Sequence, residues 1–202
     1  MITINAIGDP CPIPVIKTKK AIQDMALRDR IEVSVDNTIA VKNVSKMAES
    51  AGGKVSSEAI NDTEFKIIIE WPDDKEAARD EDEEDYNSAK GENSIVVISS
   101  DKMGDGAEEF GRVLLKGFIY ALAELETLPK KIIFYNRGAF LVAEGSDSIE
   151  DLRNLDANGV EILTCGACLD FYNLSEKLAV GSVTNMYSIV EAMQEVDKII
   201  KP

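Results

Sequence analysis

Three cysteines carry the most reactive side chains of this 202-residue chain. Cys11 lies near its beginning, and Cys165 and Cys168 form a Cys-x-x-Cys pair far downstream. The chain contains no histidine, which excludes Ser-His-Asp catalysis, Cys-His catalysis and Cys/His zinc sites built from this chain alone. Three cysteines are also too few for a zinc site with four thiolate ligands. We therefore expect thiolate chemistry that uses neither a bound metal nor a cofactor.

Two prolines follow Cys11 in the pattern Cys-Pro-x-Pro. Pro12 and Pro14 are disfavoured inside a helix but suit its first turn, where a missing N–H costs no hydrogen bond. The pattern therefore predicts a helix over residues 12–27 with Cys11 at its N-cap. Backbone N–H groups and the positive helix end lower the pKa of a thiol there and stabilise a thiolate or persulfide anion. The alternative is that Cys11 is a small buried apolar residue.

Three lysines follow Cys11 within two helical turns, at positions 17, 19 and 20. The formal net charge of the chain is −15, so Lys17 and Lys20 stand out as part of a local basic patch. Such a patch favours a thiolate at Cys11 or docks an acidic partner. The alternative is an ordinary solvated helix face.

The downstream pair, Cys165 and Cys168, directly follows an apolar stretch at residues 160–164. This spacing suits a redox pair, part of a metal site or buried packing residues. A thioredoxin-like role fits poorly. In that fold the motif lies early and a later proline faces it, whereas here the motif lies late in the chain and the only proline after it is the terminal Pro202. A metal site needs two further ligands from carboxylates or from another chain.

An acidic segment divides the chain. Residues 73–92 contain ten acidic and three basic side chains. Such a segment repels itself and cannot bury a core, so we interpret it as an extended, mobile linker. It separates an N-terminal domain, residues 1–72, from a C-terminal domain, residues 93–202.

The N-terminal domain has the pattern of a two-layer α/β sandwich. Apolar periodicity and turn residues predict βαβαββ order, with both helices on one face of the sheet. The predicted strands cover residues 3–6, 31–36, 54–57 and 64–71, and the helices cover 12–27 and 39–51. The inward residues predicted for the helices are Val15, Ile22, Met25, Ala26, Val44, Met47, Ala48 and Ala51.

The C-terminal domain alternates strands with helices, which predicts a parallel, Rossmann-like sheet with helices on both faces. The predicted strands cover residues 94–99, 131–135, 160–164 and 198–200, and the helices cover 107–125, 146–158 and 185–196. Ligands of such sheets bind at the carboxyl ends of the strands. We therefore expect residues 100–106, 136–138 and 164–168 to converge there.

Two of these loops contain further candidate residues. The glycines of the first, Gly104 and Gly106, match neither a dinucleotide nor a P-loop fingerprint and predict a tight turn at the rim of the site. Asp101, Lys102 and Arg137 are candidates for binding a small anion there.

Charge and hydropathy limit the location and the partners of the chain. The strongly acidic balance disfavours direct binding to nucleic acid or anionic lipid. The N-terminus lacks the basic and apolar regions of a signal peptide, and the apolar stretch at residues 113–123 is too short to span a bilayer. We therefore expect a cytoplasmic protein.

Residues 1–72, with Cys11-Pro12-x-Pro14 opening the first helix, resemble the TusA/SirA-like sulfur-carrier family. The resemblance implies that Cys11 holds sulfur as a persulfide, accepted from a cysteine desulfurase or another persulfide donor and passed to a downstream acceptor.

The segment from Ser94 onward resembles the DsrE-like family. The matching features are Met103-Gly104-Asp105-Gly106, Asn136-Arg137-Gly138, Cys165-Gly166-Ala167-Cys168-Leu169 and Asn185-Met186-Tyr187. This resemblance implies that Cys165, ahead of Cys168, is an acceptor cysteine and that the chain forms homo-oligomers. The two-domain arrangement resembles the sulfurtransferase-like YedF group, which is linked to selenium metabolism.

The expected function is therefore that of a sulfur or selenium carrier with sulfurtransferase-like activity, in which Cys165 and Cys168 form a second station. Two alternatives remain open. One is a non-catalytic binding or regulatory module, and the other is a thiol-disulfide redox protein that uses Cys165 and Cys168.

Overall fold

The computed structural model describes residues 1–25, 30–71 and 93–202. The predicted acidic linker at 73–92 lies outside the described residues, as do Ala26 and the predicted end of the first helix at Leu27. The chain divides into two compact units, Met1–Glu83 and Glu84–Pro202, each with its own sheet. Among the described helices, none has the length and apolar character needed to cross a membrane.

The first unit has the predicted βαβαββ order and a four-stranded mixed sheet. Its strands follow the order β1-β2-β4-β3, with β1 parallel to β2 and the other neighbours antiparallel. The elements are β1 (Ile2–Asn5), α1 (Ile13–Asp24), β2 (Ile31–Val35), α2 (Thr38–Ser50), β3 (Lys54–Asn61) and β4 (Glu64–Glu70).

One face of this sheet forms the core with α1 and α2. Alternate residues of β2 are fully buried, as the pattern predicts for a half-covered strand. On α2 the buried stripe is Ala40, Val44 and Ala48, spaced four residues apart. The inward prediction for Ala51 is wrong, because α2 ends at Ser50 and Ala51 is exposed.

The second unit is built on a five-stranded sheet in the order β8-β7-β6-β5-β9, with every neighbouring pair parallel. Its elements are β5 (Ser94–Ile98), α3 (Glu108–Ala123), β6 (Lys131–Phe134), α4 (Ile149–Ala157), β7 (Glu161–Cys165), α5 (Gly166–Phe171), β8 (Ser182–Thr184), α6 (Met186–Gln194) and β9 (Lys198–Ile200). Helices α3 and α4 cover one face and α6 covers the other. The predicted parallel α/β architecture is therefore confirmed.

Four short elements of this unit were not predicted: β8, α5 and the 3-10 helices at Asn136–Val142 and Ser175–Lys177. Each is too short to show a clear hydrophobic period. The fourth helix, α4, begins at Ile149 rather than at the predicted residue 146. The Ile149 N–H donates to the Ser146 carbonyl oxygen at 3.4 Å, so the preceding serines form a turn outside the helix.

Candidate functional site

Cys11 lies on the loop that joins β1 to α1, and hydrogen bonds to the start of α2 hold this loop. The carboxylate of Asp36 accepts hydrogen bonds from the Gly8 N–H at 2.8 Å and from the Asn37 side chain at 2.7 Å. Both bonds lower the pKa of Asp36 below its ordinary value, and the bond from Asn37 has the larger effect. Gly8 has a φ of +81°, which favours glycine at this turn.

Lys17 fastens the other side of the same loop. Its ammonium group pairs with the carboxylate of Asp9 and donates to the Asn5 carbonyl oxygen at 3.3 Å. Lys17 therefore braces the loop and is not a free cation of the predicted basic patch. Lys20 is exposed further along α1.

The prediction that Cys11 is the N-cap of the first helix is wrong. The helix begins at Ile13 with Pro12 at the N-cap, and the Cys11–Pro12 peptide bond is cis. The Ile13 N–H donates to the Pro10 carbonyl oxygen at 2.9 Å, and this turn separates Cys11 from the helix. Pro12 and Pro14 have no N–H, so the first turn offers fewer backbone donors than a helix end normally does.

The alternative of a buried Cys11 is also wrong, because its side chain is exposed. Cys11 opens onto a small cleft of about 40 Å³ between the start of α1 and the start of α2. The cleft is lined by Asp9, Cys11, Pro12, Pro14, Val15, Asn37, Ile39, Ala40 and Asn43. The α2 side was missed from the sequence, although Asn37 has the N-cap signature and accepts from the Ala40 N–H at 2.8 Å.

In the second unit the three predicted loops do converge at the carboxyl ends of the strands. The Asn136 N–H donates to the Cys168 sulfur at 3.0 Å, which joins the loops after β6 and β7. Arg137 forms two hydrogen bonds with Asp101, at 2.8 and 2.7 Å, which join the loops after β5 and β6.

This ion pair does not support the anion site suggested by the sequence. The hydrogen bond from Arg137 is the main reason that the pKa of Asp101 lies below its ordinary value, and the same bond raises the pKa of Arg137. Lys102 pairs with Glu108 at 3.2 Å. Arg137 and Lys102 are therefore engaged by carboxylates of their own chain.

The cysteines of the Cys-x-x-Cys pair differ in burial. Cys165, the last residue of β7, is 3% exposed and packs in the core beneath α6. Cys168, on α5, is half-buried and packs against the cluster that contains Cys165. The pKa of Cys168 is raised above its ordinary value, mainly because the thiol is partly buried. The hydrogen bond from the Asn136 N–H lowers this pKa, and the neighbouring Cys165 thiol raises it further.

Asn136 has a φ of +49° and is tied to an aromatic cluster that the sequence did not reveal. Its side-chain oxygen accepts a hydrogen bond from the Tyr172 hydroxyl at 2.7 Å. The Tyr172 ring packs against Phe140 and Phe171, each with a centroid separation of 5.0 Å. Asparagine adopts the left-handed backbone more readily than other non-glycine residues, so the residue type suits this conformation.

The glycines of these loops have different importance. Gly138 is required, because a Cβ atom at this position would lie 2.2 Å from the Ile98 carbonyl oxygen. Gly104 has the positive φ, +74°, expected of a tight turn. Gly106 borders open space, so no contact requires glycine there.

Comparison with known proteins separates the chain into the same two parts. Residues 2–70 match the family described as sulfurtransferase TusA, and residues 114–202 match the DsrE/DsrF-like family. A relative from Methanocaldococcus jannaschii is 35% identical over 66 residues, which cover 33% of this chain and 88% of the relative. One from Thermotoga maritima is 29% identical over 68 residues, covering 33% and 86%. Both carry the name "putative sulfur carrier protein".

A solved structure of a SirA-like protein from Desulfitobacterium hafniense is 38% identical, with a TM-score of 0.34, and the match covers 35% of this chain and 96% of that chain. None of these matches specifies the YedF group, so that finer assignment stays a prediction. Residues 2–70 place this chain in the TusA/SirA-like sulfur-carrier family, and residues 114–202 form its DsrE/DsrF-like domain.

Proposed function

We propose that this protein carries sulfur as a persulfide on Cys11 and relays it from a donor protein to an acceptor protein. The observation that carries the proposal is the exposed Cys11 thiol on a braced loop in a TusA-like domain. A carrier sulfur must be reached by two different partners in turn, which requires exposure, and it must be presented reproducibly, which requires a fixed loop.

The cleft beside Cys11 suits the cargo in size. A volume of about 40 Å³ accommodates a small group such as the outer sulfur of a persulfide. The positive end of α2 borders this cleft through Asn37, Ile39 and Ala40, and a helix N-terminus favours a negative group. The terminal sulfur of a persulfide is such a group.

Transfer by this route needs no histidine. The thiolate of the receiving protein attacks the outer sulfur of the Cys11 persulfide, and the Cys11 thiolate leaves. We propose a cysteine desulfurase or another persulfide donor upstream and a sulfur or selenium acceptor downstream. The exposed apolar residue Ile39, which is 67% accessible and lines the same cleft as Cys11, offers both partners a contact surface near the sulfur.

The test is intact-mass analysis after incubation with a cysteine desulfurase and cysteine. The wild type should gain the mass of one sulfur on Cys11, and Cys11→Ser should lose this gain. Cys168→Ser is the matched control, because it also removes one accessible thiol but leaves the Cys11 loop unchanged. An unchanged gain in Cys11→Ser would overturn the proposal.

A further inference from the structure

The Cys165 and Cys168 thiols form a pair that the carrier role of Cys11 does not use. They are three residues apart at the junction of β7 and α5, and Cys168 packs against the buried cluster that contains Cys165. Both are free thiols. Residues three apart along a helix face the same side, so this arrangement suits closure into a disulfide.

The two cysteines differ in how accessible they are to solvent and to partner proteins. Cys165 is 3% exposed and packs against Leu163, Ile189 and Ala192, so a partner protein cannot reach it. Cys168 is half-buried, and the residues between the two cysteines, Gly166 and Ala167, are small. An incoming sulfur can therefore reach only Cys168.

The Cys168 sulfur also has the better hydrogen-bonding environment for a thiolate. The Asn136 N–H donates to it at 3.0 Å, and a charged sulfur accepts such a bond more strongly than a neutral one. Tyr172 fixes Asn136 through its side-chain oxygen. No such donor is seen at Cys165 among the described residues.

We propose that the Cys165–Cys168 pair is a reducing dithiol that converts a bound sulfane sulfur into free hydrosulfide, or its selenium analogue into hydroselenide. Cys168 takes up the chalcogen, and Cys165 expels it. This inference rests on the proposed function for its natural sulfur source, the Cys11 persulfide, but its chemistry needs only a persulfide or polysulfide.

The reaction has two steps. The Cys168 thiolate first attacks the outer sulfur of the donor persulfide, the donor S–S bond breaks, and the donor thiolate leaves. The Cys165 sulfur then attacks the Cys168 sulfur, the bond from Cys168 to the outer sulfur breaks, and hydrosulfide leaves with that electron pair. The Cys165 proton passes to the departing sulfide. The sulfane sulfur is reduced, the two thiols are oxidised to one disulfide, and a cellular dithiol reductant restores them.

The test uses the full-length Cys11→Ser variant, reduced and then given inorganic polysulfide under anaerobic conditions. Sulfide release is measured together with the number of thiols that remain open to alkylation. The expected result is about one sulfide per chain in a single turnover and, when alkylation follows denaturation, the loss of both remaining thiols, restored by a dithiol reductant. Removing Cys11 makes this result independent of whether Cys11 is the carrier.

Variants of the pair separate the two roles. In the same background, Cys165→Ala should keep a stable persulfide on Cys168 and lose sulfide release, and Cys168→Ala should show neither. Thr164→Val is the matched control, because it changes an equally buried side chain of β7, whose hydroxyl has no partner among the described residues, and should release sulfide normally. Circular dichroism establishes that each variant is folded. Equal sulfide release by folded Cys165→Ala, or no disulfide in the parent, would overturn the proposal.

Discussion

The two thiol sites of this chain are held in opposite ways. Cys11 is exposed on a loop whose stability comes from polar contacts, those of Asp36 with Gly8 and of Lys17 with Asp9. Cys165 and Cys168 pack against the hydrophobic core at the carboxyl end of β7. This difference suits the proposed roles, because a sulfur exchanged with partner proteins needs access, whereas two sulfurs that react with each other need a fixed mutual position.

The strongest test of this comparison is to disturb the buried site and leave the exposed one untouched. Gly138→Ala drives a methyl group into the Ile98 carbonyl oxygen, and overpacking of this kind costs about 3 kcal/mol. We expect the free energy of unfolding of the second unit to fall by about this amount in urea denaturation. Sulfur loading at Cys11 should be unchanged.

Gly106→Ala is the control for this substitution. Its Cβ atom enters open space, so the free energy of unfolding should stay within about 0.5 kcal/mol of the wild type. Equal effects of the two substitutions would contradict the close packing of Gly138 against β5.

A milder change addresses the hydrogen bond to Cys168. Tyr172→Phe removes the hydroxyl that holds Asn136, which weakens the N–H donation to the Cys168 sulfur. Because that donation lowers the pKa of the thiol, the variant should have a higher pKa and alkylate about two- to fivefold more slowly at neutral pH. The measurement is the pH profile of Cys168 alkylation.

The wild-type midpoint of this profile should lie above the ordinary thiol value of 9.0. Cys11 in the same Tyr172→Phe sample provides the internal control, and its alkylation rate should not change. A midpoint that stays in place or moves down in the variant would show that Asn136 does not support the Cys168 thiolate.

The smallest effect concerns the polar loop that carries Cys11. The folded-state pKa of Asp36 is depressed below 3.8, so its contribution to stability is complete above that value and disappears as the pH falls through the folded pKa. The Gly8 amide resonance should therefore stay constant in NMR spectra above about pH 5 and shift only in more acid solution. A Gly8 shift with its midpoint above 3.8 would contradict the Asp36 hydrogen bonds.

Much of the architecture followed from apolar periodicity in the sequence. The stripe of α2 and the buried strands of the second unit are long enough to show their period, and Gly52 and Gly159, both with positive φ, end helices where expected. The start of the first helix was misplaced by one residue because Cys11 belongs to a turn closed by Pro10 and Ile13. Single-residue boundaries depend on such bonds, which composition does not encode.

The sites themselves were only partly predictable. Convergence of the loops after β5, β6 and β7 follows from the topology of a parallel sheet, and Asn136, Arg137 and Cys168 do meet there. The burial of Cys165 and the contact of Tyr172 with Asn136 depend on tertiary packing. The position of Cys165 after an apolar stretch left its burial as one of three alternatives, and no local pattern predicted the contact of Tyr172 with Asn136.

The central claim is that Cys11 is where sulfur enters the protein. The most direct measurement loads the wild type with a limiting amount of cysteine desulfurase, stops the reaction at short times by alkylation and maps the added sulfur by peptide mass analysis. If sulfur enters at Cys11, the added sulfur appears first on the Cys11 peptide. Sulfur that appears first on the peptide of Cys165 and Cys168, with Cys11 unmodified, would contradict it.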